Sequence, residues 1–139
     1  MMENINDRLK EIQRNIDEMN IGDFYVISTD NAGNVVVAGS FDFSYYHNIE
    51  INFHKVSFVS CPISLFKIDT IRLASEEESK QLGDWSYGYH EGTVICLEDK
   101  VYKHKFFLAC SNVTYTKRTV YYYKRNDLKH DETIANWVR

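Results

Sequence analysis

The chain has 139 residues and a formal net charge of −4, with 44% hydrophobic, 26% charged and 14% aromatic residues. That length suits a single domain spanning residues 1–139, large enough to bury about two-thirds of the surface its unfolded form exposes; one proline and six glycines leave little room for a flexible linker. No run approaches the ~18 apolar residues of a membrane helix, the N-terminus lacks the basic start and apolar stretch of a secretion signal, and Cys61, Cys96 and Cys110 contain no Cys-x-x-Cys pair. Those features favour buried free thiols over a disulfide framework and predict a soluble, acidic, cytoplasmic protein.

Residues 4–20 read as a helix, because Ile5, Leu9, Ile12, Ile16 and Met19 recur at spacings of four and three. Asn4 or Asn6 is placed to cap its start, and Asn20 with Gly22 sits where a helix stops. Its apolar stripe is expected to lie on the chain's own sheet; a partner-binding face or a short coiled-coil seam is the alternative. From Asp23 the pattern turns extended. Phe24–Ser28 and Asn34–Ala38 flank Thr29-Asp30-Asn31-Ala32-Gly33, which predicts a hairpin. Phe41–Tyr46 leads into a run where Ile49, Ile51 and Phe53 alternate with Asn48, Glu50 and Asn52. After His54-Lys55 the apolar phase slips by one, so a β-bulge or tight turn is expected there, and Cys61-Pro62 ends the run.

Phe66–Leu73 predicts another strand. Ser75 followed by Glu78 forms a capping-box pattern at the head of a short helix that Gly83 is expected to stop. Residues 84–92 read as an irregular aromatic loop. Thr93–Glu98, Val101–Cys110 and Thr114–Lys124 read as strands, and Glu132–Val138 as a closing turn or helix that docks through Ile134, Trp137 and Val138. The sum is α+β: a mostly antiparallel β-meander of about seven strands, with an N-terminal amphipathic helix and a short C-terminal helix.

Charge is divided unevenly along this frame. Residues 1–99 hold 7 basic against 17 acidic side chains and residues 100–139 hold 9 against 3, so −10 and +6 make up the −4. Within the basic part, Tyr115, Lys117, Thr119, Tyr121, Tyr123 and Arg125 share one face of an unbroken strand, with Val120 and Tyr122 on the other. Lysines and stacking rings suit single-stranded nucleic acid. The same asymmetry equally describes a protein-partner surface, or basic strands that pair with acidic elements of the same chain.

A second candidate is the loop from Gly83 to Gly92, where Trp85, Tyr87, Tyr89, His90 and Glu91 supply aromatic walls, an imidazole and a carboxylate. A third cluster is Asp42 with Tyr45-Tyr46-His47. His47 and His54 are an odd number of residues apart, and no His-x-His, Cys-x-x-Cys or His-Glu-x-x-His pattern occurs, so neither a metal nor a cofactor is expected. Glycine-rich phosphate loops and G-x-S-x-G are also missing from the sequence.

In size, acidity and sheet-rich character the chain resembles the small bacterial immunity proteins that block toxins, which implies a noncatalytic protein-interaction role. The candidate binding residues are Trp85, Tyr87, Tyr89, His90, Glu91, Lys117, Tyr121, Tyr123 and Arg125, with no catalytic residue assigned. The alternative is a small-molecule pocket domain or enzyme built on the 83–92 loop with Tyr45, Tyr46 and His47. A weaker one is nucleic-acid binding through strand 115–125.

Overall fold

A computed structural model describes residues 4–86 and 91–138, the side chains of Trp85 and Ser86 excepted. Helix α1 covers Ile5–Glu18 and both its ends are closed as the sequence suggests. The Asn4 side chain accepts from the Asn6 N–H at 2.8 Å. At the other end Asn20 takes a left-handed φ of 55°. The Ile21 N–H then reaches Ile16 O at 3.0 Å and the Asn20 N–H reaches Asp17 O at 3.3 Å, a Schellman closure that satisfies two orphan carbonyls.

Ten strands follow among the described residues: β1 (Asp23–Thr29), β2 (Val35–Ser40), β3 (Tyr46–His54), β4 (Phe58–Ser60), β5 (Phe66–Lys67), β6 (Thr70–Leu73), β7 (Thr93–Asp99), β8 (His104–Cys110), β9 (Asn112–Tyr121) and β10 (Glu132–Ile134). Helix α2 (Glu76–Ser86) lies between β6 and β7. The expected α+β class with an antiparallel-rich sheet is found, but the strands divide into two sheets. One has the order β10-β9-β3-β2-β1-β5 and the other β4-β8-β7-β6. The β1–β2 hairpin closes through Asp30, whose carboxylate accepts from the N–H groups of Ala32 (2.9 Å) and Asn34 (3.0 Å), with Gly33 at φ 85°.

The sheets share two bent ribbons of chain. β3 passes into β4 across residues 55–57, where Lys55 adopts φ 51°; this is the tight turn that the phase slip after His54 requires. β8 passes into β9 across Ser111 alone. The two bends face one another, as the Ser111 N–H donates to His54 O at 2.9 Å and the Ser57 N–H to Ala109 O at 2.8 Å. The predicted strand 66–73 is likewise split at residues 68–69, with β5 in the first sheet and β6 in the second.

A continuous core joins Leu9, Ile12 and Ile16 of α1 to Phe24, Val37, Ile49, Ile51 and Phe53 of the first sheet and Ile71, Ile95, Leu97 and Leu108 of the second. Phe24 and Phe53 are fully buried, each stabilising the fold by roughly 2–3 kcal/mol over an exposed position. β7 reads Val94-Ile95-Cys96-Leu97 without alternation because both its faces are covered. Ile95 and Leu97 point into the main core, while Val94 and Cys96 pack with Leu82 of α2. Cys96 and Cys110 are therefore buried free thiols, and burial pushes both up to about 11. Cys61 is half-buried.

Two expectations need correction. Helix α2 does not stop at Gly83 but runs to Ser86, so the start of the expected loop is helical. Residues 132–138 form no helix. Instead Glu132–Ile134 pairs in parallel with Thr119–Tyr121, held further by the Ala135 N–H on Tyr121 O at 2.8 Å. No helix of the described residues is long and apolar enough to cross a membrane.

Candidate functional site

The predicted residues fall into three groups. Tyr87, Tyr89 and His90, and the side chain of Trp85, lie outside the described residues. Glu91 is exposed, and its backbone is pinned by Ser57, whose Oγ donates to Glu91 O at 2.7 Å and accepts from the Glu91 N–H at 2.6 Å.

The end of β9 brings most of the second group together. Tyr121 touches Tyr46 (ring centroids 6.2 Å) and Tyr123 (5.6 Å), and Tyr123 touches Tyr45 (6.2 Å), each edge-on. The guanidinium of Arg125 sits 4.3 Å from the Tyr121 ring centre and 5.8 Å from that of Tyr123. It is fixed there by two bonds to Asp127 (3.0 and 2.9 Å) and one to the Tyr123 hydroxyl (3.2 Å). The Tyr121 hydroxyl donates to Glu132 at 3.0 Å. The result is a ladder of four tyrosines with one stacked cation, Tyr45 and Tyr123 being exposed.

Lys117 is not part of the ladder. It is exposed and pairs with Ile49, four positions before Tyr121. The face that carries it is not open along its length, because Tyr115 packs against the core and receives the Asn15 Nδ2 of α1 at 3.3 Å. Three of the basic side chains meet acidic groups of the same chain. Arg125 pairs with Asp127, Arg118 with Glu50, and Lys105 with Glu78.

On the other face of the same strand end lies a cavity of about 830 Å³. Tyr25, Phe43, Tyr122 and Trp137 wall it, and His47, Glu50 and Arg118 with Thr133 and Asn136 form its polar part. β1 brings Tyr25 to it, the β2–β3 connection Phe43, β3 His47 and Glu50, β9 with the residue after it Arg118 and Tyr122, and the turn after β10 Trp137. Trp137 lies 5.3 Å from the Tyr122 ring yet stays 67% exposed, so it walls the cavity and does not dock into the core as its sequence context suggested.

The polar groups form one chain of bonds. His47, 4% exposed, has Nδ1 at 2.6 Å from the Tyr122 hydroxyl and Nε2 at 2.7 Å from Glu50 Oε2. The His47 bond holds Glu50 below the usual carboxylate range against the burial that would raise it, with Arg118 adding to the effect. Glu50 is therefore ionised and accepts from His47 Nε2, while Nδ1 on the other side of the ring shares a hydrogen bond with the Tyr122 hydroxyl. Burial, with the Glu50 charge behind it, pushes the Tyr122 hydroxyl up to about 12.

Sequence reasoning named Tyr45, Tyr46 and His47 but left Glu50, Arg118 and Tyr122 out of a site. The alternation of Glu50 with Ile49 and Ile51 marks it only as facing away from the core. Compared with known proteins, the chain matches no protein-family model, no curated protein and no solved structure.

Proposed function

We propose that the protein is a noncatalytic interaction module that engages a partner protein through the tyrosine ladder. The observation that carries this reading is the Tyr45–Tyr123–Tyr121–Tyr46 row with Arg125 stacked on it. Tyrosine and arginine are the side chains that dominate binding at protein interfaces. Here they are held in place before any partner arrives, by ring contacts and by the Asp127 and Glu132 bonds. Such preorganisation lowers the entropy lost on docking. The role is of the same kind as that of toxin-blocking immunity proteins. Internal pairing of Arg125 with Asp127 supports a protein partner over a polyanion, which would need that charge free.

The test is capture from native lysate with tagged wild type and with Tyr45→Ala and Tyr123→Ala, each repeated after nuclease treatment. Both substitutions remove exposed rings, and unchanged melting curves would show that the fold is intact. The reading predicts a stoichiometric protein that survives nuclease and is lost with either variant. A protein retained by both variants, or nucleic acid recovered only without nuclease, would defeat it.

A further inference from the structure

The cavity on the opposite face has a chemistry of its own. Two of its wall rings are open to solvent, Tyr25 at 41% and Trp137 at 67%. Its volume of about 830 Å³ falls within the size of small-molecule pockets, which pair apolar walls with a few placed polar groups. Three of the polar groups already satisfy one another. The Tyr122 hydroxyl is bonded to His47 Nδ1, His47 Nε2 donates to Glu50, and the receiving oxygen of Glu50 also meets Arg118 Nη2 at 3.4 Å.

Among the charged groups of the cavity Arg118 is the exception. Its side chain is 44% exposed against 22% for Glu50, and that one long contact anchors a single nitrogen. Nη1 and Nε have no acceptor among the described residues, so part of a five-donor fork is open at the cavity. An occupant reaches the guanidinium before it reaches the carboxylate beneath.

We propose that this cavity binds a small organic monocarboxylate, its acid group on Arg118 and its aromatic or aliphatic body against Trp137, Tyr122 and Tyr25. A planar carboxylate matches the guanidinium fork in a charge-assisted bond. A dianion such as a phosphate monoester is disfavoured, because its second charge faces Glu50. An amine is repelled by Arg118, and a neutral amide loses the charge-assisted bond. This proposal is independent of the tyrosine ladder, which lies on the other face of the strand.

The probes are 3-phenylpropionate, indole-3-acetate and decanoate, each beside its primary amide, with 3-phenylpropylamine and phenyl phosphate as charge controls. Binding is read on 15N-labelled protein from the Trp137 indole N–H, assigned by its loss in Trp137→Phe. At least one acid should shift that resonance and bind roughly tenfold or more tightly than its amide, a difference of about 1.4 kcal/mol. Arg118→Gln should abolish the preference for acid over amide, and Arg118→Lys should restore part of it. Tyr123→Ala should leave acid binding unchanged, which separates failure of this proposal from failure of the ladder. Equal binding of acids and amides, preference for the phosphate or amine, or no shift at millimolar acid would overturn it. A peptide whose free C-terminus binds while all three small acids fail would also overturn it, reassigning Arg118 to a protein terminus.

Discussion

Two ion-pair networks, each built on a glutamate and an arginine, end in different states. Under α2, Glu78 receives Arg72 through two nitrogens (2.7 and 3.0 Å), Lys105 at 2.9 Å and the Ser75 N–H at 2.8 Å, and Arg72 reaches on to Glu98. Its carboxylate is saturated, and Arg72 holds it well below the usual carboxylate range with help from Ser75 and Lys105. On the first sheet Glu50 takes one short bond from His47 and one long one from Arg118, and the guanidinium keeps open donors. The saturated network fastens a helix to a sheet. The incomplete one has capacity for something the chain itself does not supply, so the number of filled bonds, not the presence of charge, separates scaffold from site.

Acid should erase the difference, and it is the largest perturbation expected. Both carboxylates lie below their ordinary value of 4.5 in the folded protein. Their contributions are complete above about pH 5 and are lost as pH falls through the folded values. A melting temperature that stays level from pH 6 to pH 3 would contradict this. Glu78→Ala comes next, at ~3 kcal/mol by urea unfolding, since it strips a buried acceptor from two cations and a helix cap. A loss under ~1 kcal/mol would mean that the network contributes no more than a surface pair. Glu50→Gln should cost about 1 kcal/mol, because an amide oxygen still accepts from His47. A cost equal to that of Glu78→Ala would abolish the distinction between the two networks. Smallest is Ser75→Thr, within about 0.5 kcal/mol of wild type, as threonine keeps the capping hydroxyl; Ser75→Ala should cost about 1 kcal/mol. Equal losses from the two variants would remove the hydroxyl from the account of α2.

Much of the local structure was legible in the sequence because it is set by neighbours. The Asn4 cap, the Asn20 closure, the Asp30 turn and the Ser75–Glu78 capping box all form over two to five residues, and each is found. What escaped depends on distant partners. The three residues of β10 are too few to show a period, and only pairing with β9 makes them a strand. The break at residues 68–69 follows from two strands serving two sheets, which no alternation within 66–73 can announce. The site was half legible. Tyr121, Tyr123 and Arg125 are close in sequence and stay together in space. His47 and Tyr122 are 75 positions apart, and alternation sets Tyr122 only on the face opposite Tyr121 and Tyr123.

The paired bends at residues 55–57 and at Ser111 have a mechanical consequence. Each sheet holds one half of the same two chain segments, and the bends are bonded to each other through Ser111 with His54 and through Ser57 with Ala109. Neither sheet has an independent way to come apart, since releasing β4 from β8 frees the far ends of β3 and β9. Amide protons in β3 and in β7 should therefore exchange with the same opening free energy, that of the whole molecule, as members of a single foldon.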